Sequence, residues 1–229
     1  VRSARAAAAQ AYFNKLAAEW DRIRKLHVAD AAVEEAIAAA LSGTDLRSLL
    51  DLGTGTGRML ELFGPSIERG LGLDMSLDML ALARARLDRA GLRHCSVRQG
   101  DIYDLALADQ TADAVIMHQV LHFLSDPQRA LREAARVLAP GGRILIVDFA
   151  PHALEFLREQ FAHERLGFAD QQISQWLADC GLKLEDTRLL SPDASEPQAK
   201  LTVSIWLARR PDKSDTRTAS EARNLERIS

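Results

Sequence analysis

Two kinds of apolar pattern divide this chain. From Ala4 to Leu41 it is rich in Ala and other strong helix formers and has neither Pro nor Gly. That stretch predicts two or three helices, and "SGTD" (42–45) punctuates their end. Then short apolar runs begin to alternate with amphipathic ones. "RSLLDLG" (47–53), "GLGLDMS" (70–76), "HCSVRQGD" (94–101), "ADAVIMH" (112–118) and "RILIVDF" (143–149) read as strands. "GRMLELFG" (57–64), "SLDMLALARARLDRAG" (76–91) and "DPQRALREAARVLAPGG" (126–142) read as the helices between them. Gly91 closes the second of these helices. Pro127 suits the first turn of the third, and Pro140-Gly141-Gly142 is expected to stop it. Strands alternating with helices imply a parallel sheet covered on both faces.

The pattern changes after residue 150. "PHALEFLREQFAHERLGF" (151–168) and "ADQQISQWLADCGL" (169–182) read as helical. "KLEDTRLLS" (183–191) and "KLTVSIWLARR" (200–210) are strand-like, with only a polar loop containing Pro192 and Pro197 between them. Two strands without an intervening helix call for an antiparallel hairpin on one edge of the sheet. Residues 211–229 are polar and read as a disordered tail.

Composition narrows the function. The 229 residues, 47% of them hydrophobic, suffice for one sizeable core and a small extra subdomain. A net charge of -3 gives no basic surface for nucleic acid. Two cysteines, Cys95 and Cys180, make neither a disulfide framework nor a metal cluster, so a reducing cytoplasm and no bound metal are expected. No apolar run reaches membrane-spanning length and no secretory leader is visible. The chain opens on "VRSARAAAAQ", which reads as the middle of a helix. A segment of a longer polypeptide is the expectation.

The candidate chemistry centres on "LLDLGTGTGR" (49–58). Gly53, Gly55 and Gly57 follow a strand and open a helix, where glycines allow a tight turn and close approach of a ligand. A phosphate loop would continue Gly-Lys-Ser or Gly-Lys-Thr, but Arg58-Met59 follows Gly57. A dinucleotide fingerprint needs G-x-G-x-x-G, and the spacing here is G-x-G-x-G. That disfavours a nicotinamide-dependent oxidoreductase. Asp51 is awkward beside a pyrophosphate but suits a ligand carrying an ammonium group. Asp74 ends the next strand, where a carboxylate can accept both hydroxyls of a ribose. Its alternative role, starting the next helix, is available to Ser76. Asp101 follows the third strand and could accept an adenine amino group with Ile102 packed on the ring, or be a plain loop acid. These positions lie at the carboxyl ends of consecutive strands, where open α/β sheets bind ligands.

With those residues in place, the sequence resembles the class I S-adenosylmethionine-dependent methyltransferases, especially the small-molecule group that includes the ubiquinone/menaquinone C-methyltransferases. "LLDLGTGTGR" matches their first motif, "GLGLDMSLDMLALAR" the second, "QGDIYDL" the third, and "ADAVIMHQVLHFLSDPQRALREAARVLAPGGRILIVDF" the stretch from the fourth strand through the fifth. The resemblance runs from about Arg47 to Arg209. It implies an α/β, Rossmann-like, seven-stranded and mostly parallel sheet whose last strand is antiparallel. It divides the chain into an N-terminal helical cap (1–45), a methyltransferase domain (46–209) and a tail (210–229). It implies S-adenosylmethionine as cofactor, S-adenosylhomocysteine as product and a small-molecule acceptor. Asp51, Gly53, Thr54, Gly55, Asp74, Met75, Asp101, Ile102 and His118 form the implied cofactor set, joined by Trp20 of the cap. Trp20 stands where relatives often have the Tyr of a Tyr-Asp pair, so it keeps the packing but loses the hydroxyl.

Methyl transfer needs alignment and desolvation, and a base only if the nucleophile carries a proton. His118 and His122, spaced i, i+4, are the catalytic candidates at the mouth, with Asp148 and His152 after the fifth strand. If "HQVLH" were helical the two histidines would share a face. His118 could equally close the cofactor pocket, and His122 could be a substrate-pocket wall. Arsenite methylation, which needs several thiolates, is disfavoured by the two cysteines. Protein or nucleic-acid methylation lacks its basic face or an N-P-P-Y signature. A rival reading is a sensor of S-adenosylmethionine or S-adenosylhomocysteine. Domains with a similar opening, "YFNKLAAEWDRIRKLHV", occur behind a winged-helix repressor domain of the ArsR type, so an upstream partner domain and self-association are both open.

Overall fold

The computed structural model describes residues 30–192 and 201–212. Seven strands form one sheet: β1 (Ser48–Leu52), β2 (Arg69–Asp74), β3 (Cys95–Gln99), β4 (Ala112–His118), β5 (Leu138–Phe149), β6 (Lys183–Leu190) and β7 (Val203–Arg209). Their spatial order is β3-β2-β1-β4-β5-β7-β6. The chain starts at the centre with β1, winds outward through β2 and β3, then returns to β4 on the other side. This places the reversal of strand order between β1 and β4, and there the carboxyl ends open a crevice.

Pairing is parallel from β3 through β5. The last two strands form the expected edge hairpin. β7 pairs antiparallel with β5, from Arg143 opposite Arg209 to Phe149 opposite Val203. It also pairs antiparallel with β6, so β7 lies inside the sheet and β6 is the edge.

Successive strand residues serve opposite faces. Leu49, Ala114, Ile116, Leu145, Val147 and Ile205 pack on one side. Leu50, Val115, Met117, Ile144, Ile146 and Trp206 pack on the other. The first face is covered by α1 (Asp30–Ala40), α2 (Arg58–Phe63), α3 (Leu77–Arg89) and α5 (Phe156–Phe161). The second is covered by α4 (Pro127–Val137) and α6 (Asp170–Asp179). Of the region expected to form a cap, α1 alone is described; it buries Val33 and Ile37 against the sheet. Trp20 and the rest of residues 1–29 lie outside the described residues, as do 193–200 and 213–229.

Three local expectations need correction. α4 ends at Val137, ahead of Pro140-Gly141-Gly142, because Leu138 already has extended angles and pairs with Ala112. Pro140 also keeps Ala139 out of helical conformation. Of residues 151–168 only Phe156–Phe161 is α-helical. Ala162 turns left-handed at φ 57°, and His163 then buries its ring against His122, their centroids 4.0 Å apart. "HQVLH" is not a helix. The Gln119 N–H donates to the Val147 carbonyl at 2.7 Å, extending the strand pairing, and Gln119 itself sits at φ 52°. A short 3-10 turn, Leu121–Phe123, follows, so His118 and His122 do not share a helical face.

The glycine turn between β1 and α2 is fastened to this frame. The N–H groups of Gly53 and Thr54 both donate to the Leu73 carbonyl, at 2.9 and 3.0 Å. Gly53 has φ +73°, and a Cβ there would stand 2.4 Å from Val120 Cγ2.

Three outcomes are expected in urea melts. Gly53→Ala should cost about 2–4 kcal/mol, the sum of a left-handed L-residue and an overpacked contact. Ile37→Ala should cost about 2–5 kcal/mol if α1 packs as observed. Glu34→Ala, also on α1, which removes the part-exposed ion pair to Arg58 of α2, should cost about 0.2–1 kcal/mol. Equal effects for the two α1 variants would contradict the packing described.

Candidate functional site

The site begins with why a glycine turn stands at residue 53. β1 is buried on both faces and ends at the crevice, so the chain must reverse within a few residues to enter α2. Gly53, Gly55 and Gly57 all have positive φ, a conformation that L side chains rarely adopt. Each glycine has a separate reason. Gly53 makes room for Val120, and Gly57 lets the turn pack on Ala83, whose Cβ would be 3.0 Å from a new methyl. Among the described residues, a Cβ on Gly55 would meet nothing within 4 Å. No described residue fills that side of the turn, which leaves it available to a ligand.

Two carboxylates border the opening. Asp74, at the end of β2, accepts from the Gly55 N–H through Oδ2 and from the Ser76 N–H through Oδ1, both at 2.8 Å. Each oxygen keeps a lone pair for a hydroxyl. Ser76, as expected, caps α3 itself by accepting from the Met79 N–H. Asp51 is 1% exposed and its Oδ2 accepts from the Thr54 hydroxyl at 2.6 Å. Burial pushes its carboxyl up to about 7, against the opposing effect of the Thr54 hydrogen bond; the charge of Asp74 adds to the rise. A carboxylate held there in place of a carboxylic acid calls for a cation. Thr54 fits because Gly72, opposite Asp51 on β2, has no side chain; a Cβ there would stand 2.6 Å from the Thr54 hydroxyl oxygen. Nothing in the local sequence marks Gly72 for that task.

The other candidates spread along the same edge. Met75 is 63% exposed beside Asp74. Asp101 follows β3, exposed, with Oδ1 accepting from the Tyr103 N–H at 2.8 Å. Ile102 beside it is half-buried against the core. His118 ends β4, half-buried, near enough to Glu34 of α1 to interact with it electrostatically. Glu34 in turn grips Arg58 at the start of α2 in a two-pronged pair, both contacts 2.6 Å. The structure thus brings Asp51, Gly53, Thr54, Gly55, Asp74 and Met75 around one opening. Asp101 and Ile102 lie further along on the β3 side, and His118 lies at the end of β4.

His122 is set deeper. It is 2% exposed, and Asp148 at 0% exposure binds it twice. Asp148 Oδ1 faces His122 Nδ1 at 2.8 Å, and Oδ2 accepts from the His122 N–H at 3.2 Å. His163, which no sequence spacing connects to this region, stacks on the His122 ring. Burial presses the His163 imidazole down to about 3, so it is neutral.

A different kind of cleft, about 500 Å³, lies at the opposite end of the sheet beside Arg132, Arg136, Cys180 and Arg210. Arg210 there caps α4, donating to the Ala135, Arg136 and Leu138 carbonyls. Cys95, at the start of β3, and Cys180, ahead of β6, also lie away from the carboxyl edge. Among the described residues no three His, Cys, Asp or Glu side chains form a metal-holding group, and no helix is long and apolar enough to cross a membrane.

Comparison with known proteins agrees with this geometry. The family model "Methyltransferase domain" matches residues 50–146. The chain is 32% identical over 179 residues to a demethylmenaquinone methyltransferase of Thermobifida fusca, covering 75% of this chain and 74% of that protein. It is 33% identical over 104 residues to the uncharacterized methyltransferase YcgJ of Bacillus subtilis, covering 45% of this chain and 41% of that one. Three of the curated relatives it matches are spanned over only 31–41% of their own length. A crystal structure of a putative methyltransferase from Bacillus halodurans superposes with a TM-score of 0.66 at 20% identity, covering 80% of this chain and 99% of that one. With the strand order, the glycine turn and these likenesses together, the chain belongs to the class I S-adenosylmethionine-dependent methyltransferases.

Proposed function

We propose that this chain transfers the methyl group of S-adenosylmethionine to a small-molecule acceptor bound where β4 and β5 end. The observation that carries this reading is the open face of Gly55 set between two carboxylates, buried Asp51 and half-buried Asp74. When bound, the cofactor supplies an electrophilic methyl group on a sulfonium.

The residues fit that group by their chemistry. Asp51 needs a cation, and the methionine ammonium provides one. Asp74 retains one free lone pair on each oxygen, which suits paired ribose hydroxyls. The bare turn at Gly53–Gly55 admits the chain between them, with Thr54 holding the Asp51 carboxylate in place. Met75, Asp101 and Ile102 would border the adenine, Asp101 as acceptor and Ile102 as packing surface. His118, and Trp20 of the cap, would close the methionine end. The segment after β4, carrying Val120 against Gly53, forms the wall shared by cofactor and acceptor. Alignment and exclusion of water are the protein's main contributions to a displacement of this type.

Calorimetry with S-adenosylhomocysteine checks the assignment. Asp74→Ala should weaken binding by about 1.5–3 kcal/mol, the scale of hydrogen bonds to a charged group. Gly55→Val should abolish binding while a cooperative melt persists. Binding of NAD with no response to S-adenosylhomocysteine would overturn the reading, and unchanged affinity in Gly55→Val would move the ligand elsewhere.

Asp51 gives a pH signature. Its folded carboxyl titrates near 7, so the folded state holds its proton longer than the unfolded chain does. Stability from this group is therefore lost as pH rises from about 4 to about 7. A ligand ammonium favours the ionised carboxylate, so affinity should rise about tenfold per pH unit approaching pH 7. Above about 8 it should fall again as an α-amino group deprotonates. Asp51→Asn should weaken binding at pH 7.5 and flatten the acid limb. A wild-type profile flat between pH 5 and 7 would place the ammonium away from Asp51.

A further inference from the structure

One buried cluster exceeds what cofactor binding requires. Asp148 is fully buried and accepts three N–H bonds: from His122 Nδ1 at 2.8 Å, from the His122 backbone at 3.2 Å and from the Phe149 backbone at 2.8 Å. A carboxylate can only accept, so His122 carries its proton on Nδ1 and presents Nε2 as a lone pair. The ring is clamped as well as oriented. Phe123 lies 4.1 Å from it, His163 4.0 Å and Phe149 5.3 Å, centroid to centroid. The His122 carbonyl accepts from the Glu164 and Arg165 N–H groups at 2.9 and 3.1 Å, which fixes the turn from the other side.

Nε2 itself is left over. Among the described residues nothing bonds to it, yet it is not one of the sealed, unpartnered polar atoms; those are His152 Nε2, His163 Nδ1 and Ser204 Oγ. The 3% exposure left to the His122 side chain therefore includes this nitrogen. Two sealed imidazole nitrogens lie in the neighbouring rings. His152 Nδ1 accepts from the Leu154 N–H at 3.3 Å, so its Nε2 holds a proton with no acceptor. His163, 2% exposed, has an unmatched Nδ1. Burying polar atoms unpaired costs free energy, a cost the fold bears to pack these rings around the pair.

We infer that Asp148 and His122 form a proton-accepting pair for the methyl acceptor, which makes that acceptor a molecule whose nucleophilic atom carries an acidic hydrogen, such as a phenol or enol. This rests on the methyltransferase reading above. The acceptor's proton passes to His122 Nε2 and the electron pair of that bond stays on the nucleophilic atom. That atom bonds the methyl carbon, and the carbon–sulfur pair leaves with sulfur. The positive charge lost at sulfur reappears on the imidazolium, beside Asp148. Asp148 is a positioning residue, acting through the tautomer it imposes. The titratable groups that face His122 are Asp148 from β5, His163 from the segment after α5 and His152 from the loop after β5. Burial holds both neighbouring histidines below their usual range.

The test titrates 4-nitrophenol, as a chromogenic acidic probe, into the full chain saturated with S-adenosylhomocysteine, with nitrogen-15 spectra of the histidines alongside. The wild type should show phenolate absorbance in excess of free probe at the same pH, and an Nδ1–H tautomer for His122. His122→Gln should lower the excess by at least about tenfold with S-adenosylhomocysteine affinity unchanged. Asp148→Asn should lower it and change the tautomer; His122→Gln carries the test alone if that variant fails to fold. Probe that does not bind, binds without excess phenolate, or keeps the excess in His122→Gln overturns the inference, as does an Nε2–H tautomer in the wild type. Failure of S-adenosylhomocysteine to bind the wild type overturns instead the reading beneath it.

Discussion

The glycine turn can keep its shape only because the end of β2 supplies acceptors for it. The Leu73 carbonyl takes the N–H groups of both Gly53 and Thr54, and the Asp74 carboxylate takes that of Gly55. Three left-handed residues in five would otherwise leave N–H groups unpaired at a half-buried edge. The same bonds aim the turn. They pull it over β2, so that Asp74, Asp51 and the open face of Gly55 converge. The register of the parallel pair sets this up, since Asp51 stands opposite Gly72 and Leu52 opposite Leu73. A shift of one residue would invert every side chain of β1, burying the wrong face and turning Asp51 out of the crevice.

The neighbouring strand couples the two halves of the site. Val120 fills the space beside Gly53, and two residues later the chain places His122 on Asp148. Gln119 is held in a left-handed conformation by its bond to Val147, a local cost of the kind that persists where surrounding structure over-determines it. Here it lets β4 stop short and deliver Val120 to the glycine turn and His122 to the end of β5. A helical continuation, as the i, i+4 histidine spacing suggested, would have sent the two side chains along one face and left Asp148 buried without its two His122 donors.

What was legible in the sequence is what local pattern encodes. The alternation of strands and helices, the glycine turn, the cap at Ser76 and the edge hairpin all depend on residues within a few positions of one another. The acids at the ends of β1 and β2 were legible because strand ends in such a sheet are themselves predictable. What escaped depends on contacts between segments distant in sequence. Gly72 under Thr54, Val120 against Gly53 and His163 on His122 have no periodicity to betray them. The early end of α4 was missed for a related reason. Leu138 has good helix propensity, but pairing with Ala112 outweighs it. The cap's Trp20 lies outside the described residues, so the structure adds nothing to its reading.

The electrostatics of the edge argue for a site built around a travelling positive charge. Asp51, Asp74 and Asp148 are three carboxylates at the ends of neighbouring or nearby strands, and the first and third are almost fully buried. Asp148 accepts three N–H bonds; Asp51 accepts the Thr54 hydroxyl, and burial pushes its carboxyl up to about 7, with the charge of Asp74 adding to the rise. A bound cation would release that proton and lower the cost of the buried charge. In a methyl transfer the sulfonium charge disappears as the nucleophile's proton is taken up. A site with a fixed carboxylate only under the sulfonium would oppose that loss. Placing Asp148 behind the proton acceptor instead keeps a negative group beside the charge at the moment it moves, at no reorganisation cost. On the proposed reading the donor's ammonium would stay on Asp51 throughout, so that the binding end and the reacting end are served by different carboxylates.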